Sequence, residues 1–293
     1  MNKFYYHLST IFLFFAIVSC TSNKNYIAEN DDFIIKKNVV EKIQLRLEKE
    51  ILVCAHRAYH EFAPENSISS IKKAIEATID IVEIDVNMSK DSVLVLMHDN
   101  KIDRTTNGKG YVSDFTFKEL QKFNLKINDS ITEHKIPTLS EALSIAKDKI
   151  ILNLDIKNVD IKILYDQLKI NGMQNEVFSF IWDKANIDKI LAIDSSYAVL
   201  PLVKNRLEMM YYAENMQSKL QHFDENTLNS ENIKWANENG IIVFMNSLWK
   251  IDDQFIKNKI DEMDKIIDLR PAIIQTDHPL LLVNYLKSKN LHR

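Results

Sequence analysis

Beyond residue 50 the chain alternates short apolar runs with stretches of helical periodicity. Eight runs, at 51–56, 79–86, 93–98, 150–156, 177–182, 198–203, 241–246 and 272–276, are predicted as strands. Ile68, Ile71 and Ile75 recur at helical spacing and predict a helix over 67–77. Thr138 and Glu141 form a capping box ahead of "LSEALSIAKDK". A helix over 226–239 ends at Gly240, a good C′ residue, and Pro279 suits the first turn of a helix over 279–289. Strands and helices in alternation predict an α/β fold, most simply a (β/α)8 TIM-like barrel, with an open doubly wound sheet as the alternative. Pro201 sits badly inside the strand at 198–203. Residues 100–148 form a long excursion between the third and fourth strands, read as a small insertion capping one barrel end.

The segment "VEIDVNMSKDSVLVLMHD", residues 82–99, departs from that rhythm. A parallel crossover needs a dozen or more residues, and only about six separate these two strands. A hairpin turning at Asp91–Ser92 fits, and its register sets Asp85 opposite His98.

The N-terminus differs in kind. Met1–Asn2–Lys3 leads into "IFLFFAIVSC", the order of a secretory signal, and the run falls short of the ~20 residues of a comfortable membrane span. Its end, Ile17–Val18–Ser19–Cys20, resembles a bacterial lipobox. That resemblance implies a lipoprotein signal peptide at 1–19, lipidation at Cys20, and export to the cell envelope, on its periplasmic or outer-membrane face. The membrane would then be a partner through the lipid anchor. A plain signal peptide and an N-terminal anchor helix are the alternatives. Residues 20–45, rich in Asn, Lys and Glu, read as a tether grading into a helix, and 46–293 as one barrel domain. Cys54, in an apolar strand, reads as a packing residue without a disulfide partner.

Composition adds little: 46% hydrophobic residues is ordinary for a folded domain, and a net charge of -4 provides no basic field for nucleic acid. Position says more. Polar residues gather where the apolar runs end, which in a barrel is where active sites form. The first strand ends at His56–Arg57, the second carries Glu83 and Asp85 on one face, and the third ends at His98. On the fourth, Asn153, Asp155 and Lys157 share a face, and the loop after the first strand adds Glu65 and Asn66. Three carboxylates without thiolates favour one hard divalent cation, Ca²⁺ or Mg²⁺. Arg57 and Lys157 offer charge to an anionic substrate, and His56 and His98 an acid and a base. The set reads as metal-assisted cleavage of a phosphate ester. The plainer alternative is an ion-pair network of the carboxylates with Arg57 and Lys157.

"AHRAYHEFAPENS", "VEIDVNMSKDSVLVLMHD", "DRTTNGKG" and "IIQTDHP", in order from about residue 52 to 285, resemble glycerophosphodiester phosphodiesterases. The resemblance implies a small-molecule glycerophosphodiester substrate, cleaved to sn-glycerol 3-phosphate and an alcohol. It implies His56 and His98 as acid–base catalysts and Glu83, Asp85 and Asp155 as metal ligands. Arg57 and Lys157 are implied to bind phosphate, and Glu65 to support substrate binding or the metal. A sphingomyelinase-D-like lyase forming a cyclic phosphate, and an anchored phosphodiester-binding protein without turnover, are the rival readings.

The sequence departs from the family pattern at several positions. Ala58 stands for the usual Gly after His-Arg, Asp155 for the usual Glu, and Ser92 where Gly is frequent. Phe244 stands where an aromatic, often Trp, lines the pocket. Among the remaining polar residues, Arg104 reads as stabilising its loop, Asp277 as a helix cap, and His60 and His278 as surface or capping residues. Trp182, Trp235 and Trp249 read as packing.

Overall fold

The computed structural model describes residues 37–47 and 50–293; the signal peptide, Cys20 and most of the tether lie outside the described residues. The strands are β1 (Leu52–Ala55), β2 (Ile81–Met88), β3 (Leu94–Leu96), β4 (Lys126–Ile127), β5 (Ser130–Ile131), β6 (Ile151–Ile156), β7 (Val177–Ile181), β8 (Val199–Leu200), β9 (Leu202–Val203), β10 (Leu220–Phe223), β11 (Ile242–Asn246) and β12 (Ile273–Thr276). Around the main sheet the order is β8-β7-β6-β2-β1-β12-β11-β10-β9, with every neighbouring pair parallel. β8 and β9 flank Pro201, which has no N–H for the ladder. The Pro201 carbonyl instead accepts from the His222 amide at 3.0 Å, so the two short strands serve as one position and the ring closes across them. Helices between the strands form the outer layer, as expected of a (β/α)8 barrel.

One predicted barrel strand is not in the ring. Residues 94–96 pair only with β2, antiparallel, as the hairpin reading expects. The vacated place belongs to β10, Leu220–Phe223, which the apolar pattern misses because Gln221 and His222 break it. Both are buried all the same: the Gln221 side-chain amide donates to the Met209 carbonyl, and His222 faces a cleft. The hairpin register also corrects the expectation by one residue. Val86 pairs with Leu96, and the Met97 amide donates to the Asp85 carbonyl at 3.0 Å, so Met97, not His98, stands opposite Asp85. The turn holds three residues, Lys90 to Ser92, because Ser92 adopts φ 61 and closes it in a left-handed conformation.

Boundaries shift too. The helix Leu139–Ala146, capped by Thr138 and Glu141 as predicted, packs on the helix Ile68–Glu76 in the outer layer; the excursion proper therefore ends before it. That excursion has its own small core around Met97, Ile102, Leu120 and Leu125. At the other end the fold begins before residue 46. A short helix, Val39–Gln44, is held by an Asn38/Glu41 capping box. Six residues make a marginal helix in water; its stability comes from Val39 and Ile43, both buried in the barrel-bottom cluster with Leu52, Ile81 and Phe178. Full burial of such side chains contributes ~1.5–3 kcal/mol each. Cys54 is fully buried in the same cluster, and that burial raises its thiol pKa well above the ordinary value. Among the described residues no helix is long and apolar enough to cross a membrane.

Candidate active site

The mouth of the barrel lies at the C-terminal ends of its strands, and each polar residue there is held by a specific neighbour. β2 and β6 pair so that Asp85 is beside Asp155 and Glu83 beside Asn153. Glu83, Asp85 and Asp155 each direct a carboxylate oxygen to one place, within 4.8 Å of one another. Glu83 Oε2 accepts the Arg57 amide at 2.7 Å, and the Glu83 carbonyl accepts the Ala58 amide at 2.8 Å. That contact needs a left-handed turn, with Arg57 at φ 49 and Ala58 at φ 64. Alanine there, where the related motif has Gly, costs on the order of 1 kcal/mol. Asn66 donates to Asp85 Oδ2 at 2.7 Å, and its own side-chain oxygen accepts the Asp85 amide.

Lys157 joins the two aspartates, 2.6 Å from Asp155 Oδ2 and 3.0 Å from Asp85 Oδ1, the second contact being an ion pair without hydrogen-bond alignment. Burial, reinforced by the charges of Asp85 and Asp155, drives the Glu83 carboxyl well above the usual carboxylate range. Burial likewise raises Asp155, against the pull of Lys157. Burial would raise Asp85 as well, but Lys157, His98, Asn66 and Arg57 outweigh it and hold it low. Glu83 Oε1, Asp85 Oδ1 and Asn153 Oδ1 are buried without hydrogen-bond partners. Unpartnered buried acceptors are costly, and three of them around one point fit a hard cation with oxygen ligands. Arg57 Nε is also buried and unpartnered, a donor available to an anion.

The two histidines have separate supports. His56 Nδ1 is 2.7 Å from Asp277 Oδ1, and His98 Nδ1 is 2.6 Å from Asp99 Oδ1. In both, Nδ1 is committed to a carboxylate, and Nε2 is the ring nitrogen left for chemistry. Arg104 binds Asp99 through Nε and closes on both oxygens of Glu65 at 2.6 and 2.9 Å. Glu65 also accepts from Arg57 Nη1 at 3.2 Å.

The structure brings His56, Arg57, Glu83, His98, Asp155 and Lys157 to the wall of one cleft, with Asp85 buried just beneath. Glu65 is not on that wall: its oxygens are taken by two guanidinium groups, and it acts by holding Arg57. Arg104 stabilises its loop, as expected. Asp277 is not a helix cap but the partner of His56, and His60 lies against both, with Nδ1 2.8 Å from the His56 carbonyl oxygen. His278 stands at the N-terminus of the last helix without capping it and pairs with Glu61. Trp235 packs on the core, whereas Trp182 and Trp249 are 63% and 74% exposed at the cleft mouth. Phe244 lines the cleft, as does His222, whose burial lowers its pKa to about 4.

Three comparisons bear on this arrangement. Residues 56–281 match the glycerophosphoryl diester phosphodiesterase family. A glycerophosphodiester phosphodiesterase of Caldanaerobacter subterraneus subsp. tengcongensis is 28% identical over 253 residues, 80% of this chain and 98% of that protein. The crystal structure of a glycerophosphoryl diester phosphodiesterase from Parabacteroides distasonis superposes with a TM-score of 0.77 at 27% identity, over 86% of this chain and 93% of that one. An Oleispira antarctica phosphodiesterase solved with its product sn-glycerol-3-phosphate shares the fold, with a TM-score of 0.69 at 22% identity over 80% and 96% of the two chains. Carboxylate cluster, paired histidines and matched span together place the chain in the glycerophosphoryl diester phosphodiesterase family of phosphoric diester hydrolases.

Proposed function

We propose that this protein hydrolyses deacylated phospholipids, such as glycerophosphocholine and glycerophosphoethanolamine, to sn-glycerol 3-phosphate and an alcohol by histidine acid–base catalysis. The observation that carries this reading is the meeting of three buried carboxylates with two carboxylate-bound histidines at one barrel mouth. Glu83, Asp85 and Asp155 would hold one divalent cation, Ca²⁺ or Mg²⁺. When bound, it supplies Lewis-acid neutralisation of phosphoryl charge and a lowered pKa for the attacking oxygen.

The chain's own groups do the rest. Arg57 and Lys157 bind the non-bridging phosphate oxygens and stabilise their charge in the transition state. One histidine takes a proton from the nucleophile at Nε2, and the other gives one to the leaving alcohol oxygen. Asp277 and Asp99 fix the ring tautomers and stabilise each imidazolium as it forms. Outside the described residues, Cys20 would carry the lipid that anchors the protein to the cell envelope; loss of radiolabelled palmitate in Cys20→Ala tests that part.

Asp155 in place of Glu favours a second reading, attack by a substrate hydroxyl to form a cyclic phosphate. Phosphorus NMR of the full-length chain with glycerophosphocholine separates the two. Glycerol 3-phosphate, lost with EDTA and restored by Ca²⁺ or Mg²⁺, supports hydrolysis; a cyclic phosphate as end product, or no turnover, overturns it.

A further inference from the structure

The strand order divides the cleft wall into two continuous arcs. β6, β2, β1 and β12 are consecutive and carry the carboxylates, Arg57, Lys157 and His56. β7, β8/β9, β10 and β11, with the loop after β11, complete the ring and line the same cleft with Phe180, Trp182, Leu202, Phe244, Leu248 and Trp249. Lysine and arginine are absent from this second arc of lining residues, whose polar members are His222 and Asn246. His222 meets Phe180 and Phe244 edge to face, with centroids 5.4 and 5.3 Å away, and burial keeps it neutral near pH 7. Phe180 meets Trp182 in the same way at 4.8 Å. The rings therefore spend their faces on one another and present a continuous apolar surface, not faces converging on a cation as a quaternary-ammonium cage requires. Trp249 adopts φ 61 and is 74% exposed, a strained backbone that sets an indole at the mouth without burying it.

A phosphodiester has two ester substituents. With its phosphate on the polar arc, one of them must lie along the other. Glycerol hydroxyls gain nothing from leucine and phenylalanine, whereas an alkyl chain gains in proportion to the area it buries. We infer that the apolar arc is a subsite for the acyl chain of a monoacyl glycerophosphodiester, a lysophospholipid, with the chain leaving between Trp182 and Trp249. This rests on the phosphodiesterase reading above and extends its substrate class. The bond broken is unchanged: water adds its oxygen to phosphorus, the P–O bond to the head-group alcohol breaks, and that alcohol takes the proton. The products are a monoacylglycerol phosphate and the free alcohol.

The test compares kcat/KM of the full-length chain for glycerophosphocholine and for hexanoyl-glycerophosphocholine, which stays monomeric in solution. The inference predicts a ratio of at least about tenfold in favour of the hexanoyl ester, falling at least about fivefold in Trp249→Ala and in Leu202→Asn. Trp249 is exposed, so its truncation leaves the fold intact. Turnover of glycerophosphocholine with a ratio at or below one overturns the subsite. So does a high ratio that neither substitution moves. Turnover of neither ester fails the phosphodiesterase reading, and the subsite falls with it.

Discussion

His56 Nδ1 lies 2.7 Å from Asp277 Oδ1, a bond between the first strand of the barrel and the loop after its last. Asp277 is itself held, since its amide donates to Asp252 Oδ2 at 2.7 Å. Asp252 is buried and also receives the Ser247 and Thr276 hydroxyls, so the loops after β11 and β12 are locked before they reach the histidine. Burial would raise the Asp277 carboxyl, but the hydrogen bond and charge of His56, with His60 and His278 nearby, hold it below its ordinary value. Asp277→Asn keeps the volume and removes the charge that fixes the tautomer. We expect kcat to fall ~10²–10⁴-fold with KM little changed. Steady-state kinetics decide this, and kcat within threefold of the parent would exclude a positioning role.

Arg104 ties the second histidine to the phosphate site. Its hydrogen bonds to Asp99, against the effect of burial, bring that carboxyl to about 2, and its fork grips Glu65, which steadies Arg57. Lysine cannot reproduce a bidentate fork. Arg104→Lys should therefore lose kcat/KM nearly as fully as Arg104→Ala, by on the order of tenfold for the loss of one charge-assisted pair. A lysine variant with parental kcat/KM would contradict the forked geometry.

Glu83 costs stability when ionised without a cation, because burial and its two acidic neighbours oppose its charge. Glu83→Gln in EDTA should melt at or above the parent's temperature. In the parent, added Ca²⁺ or Mg²⁺ should raise Tm as a ligand specific to the folded state does, and in the variant that rise should vanish. Differential scanning fluorimetry reads both. A variant that keeps the cation-induced rise would show the ion bound elsewhere.

At the barrel bottom Asp80 accepts from the Val53 amide, Arg46 and His292. Its hydrogen bond raises the His292 pKa, against burial. A raised folded-state value means that stability is fully present below the unfolded pKa of about 6.5 and is lost as pH rises through the folded value. Asp80, held low by the same contacts against burial, is ionised across that window. The Tm gap between parent and His292→Gln should therefore be wider at pH 5.5 than at pH 8.5, by ~2–4 °C if the bond contributes about 1 kcal/mol. A gap independent of pH would contradict the ion pair.

The motif residues were legible because a parallel barrel sends strand-end polar groups to one mouth, and short-range spacing alone locates the strand ends. The misses have physical causes. The barrel encloses a polar-walled cleft, so an inward residue need not be apolar, and Gln221 and His222 concealed β10. The hairpin register turned on whether Ser92 adopts a left-handed conformation, which a serine does not announce. Asp277 resembled a cap because its partner is 221 residues away in the chain. Trp182 and Trp249 resembled core residues because hydrophobicity does not distinguish a buried indole from one at a cleft mouth.

The central claim is that two separately held histidines divide the proton transfers. It is tested most directly by giving the enzyme a leaving group that needs no acid. His56→Ala and His98→Ala should each lose glycerophosphocholine turnover by ~10²–10⁴-fold. On the p-nitrophenyl ester of glycerol 3-phosphate, whose phenolate departs unprotonated, one variant should recover to within about tenfold of the parent while the other stays inactive. Glycerophosphocholine turnover that survives both substitutions would contradict the account.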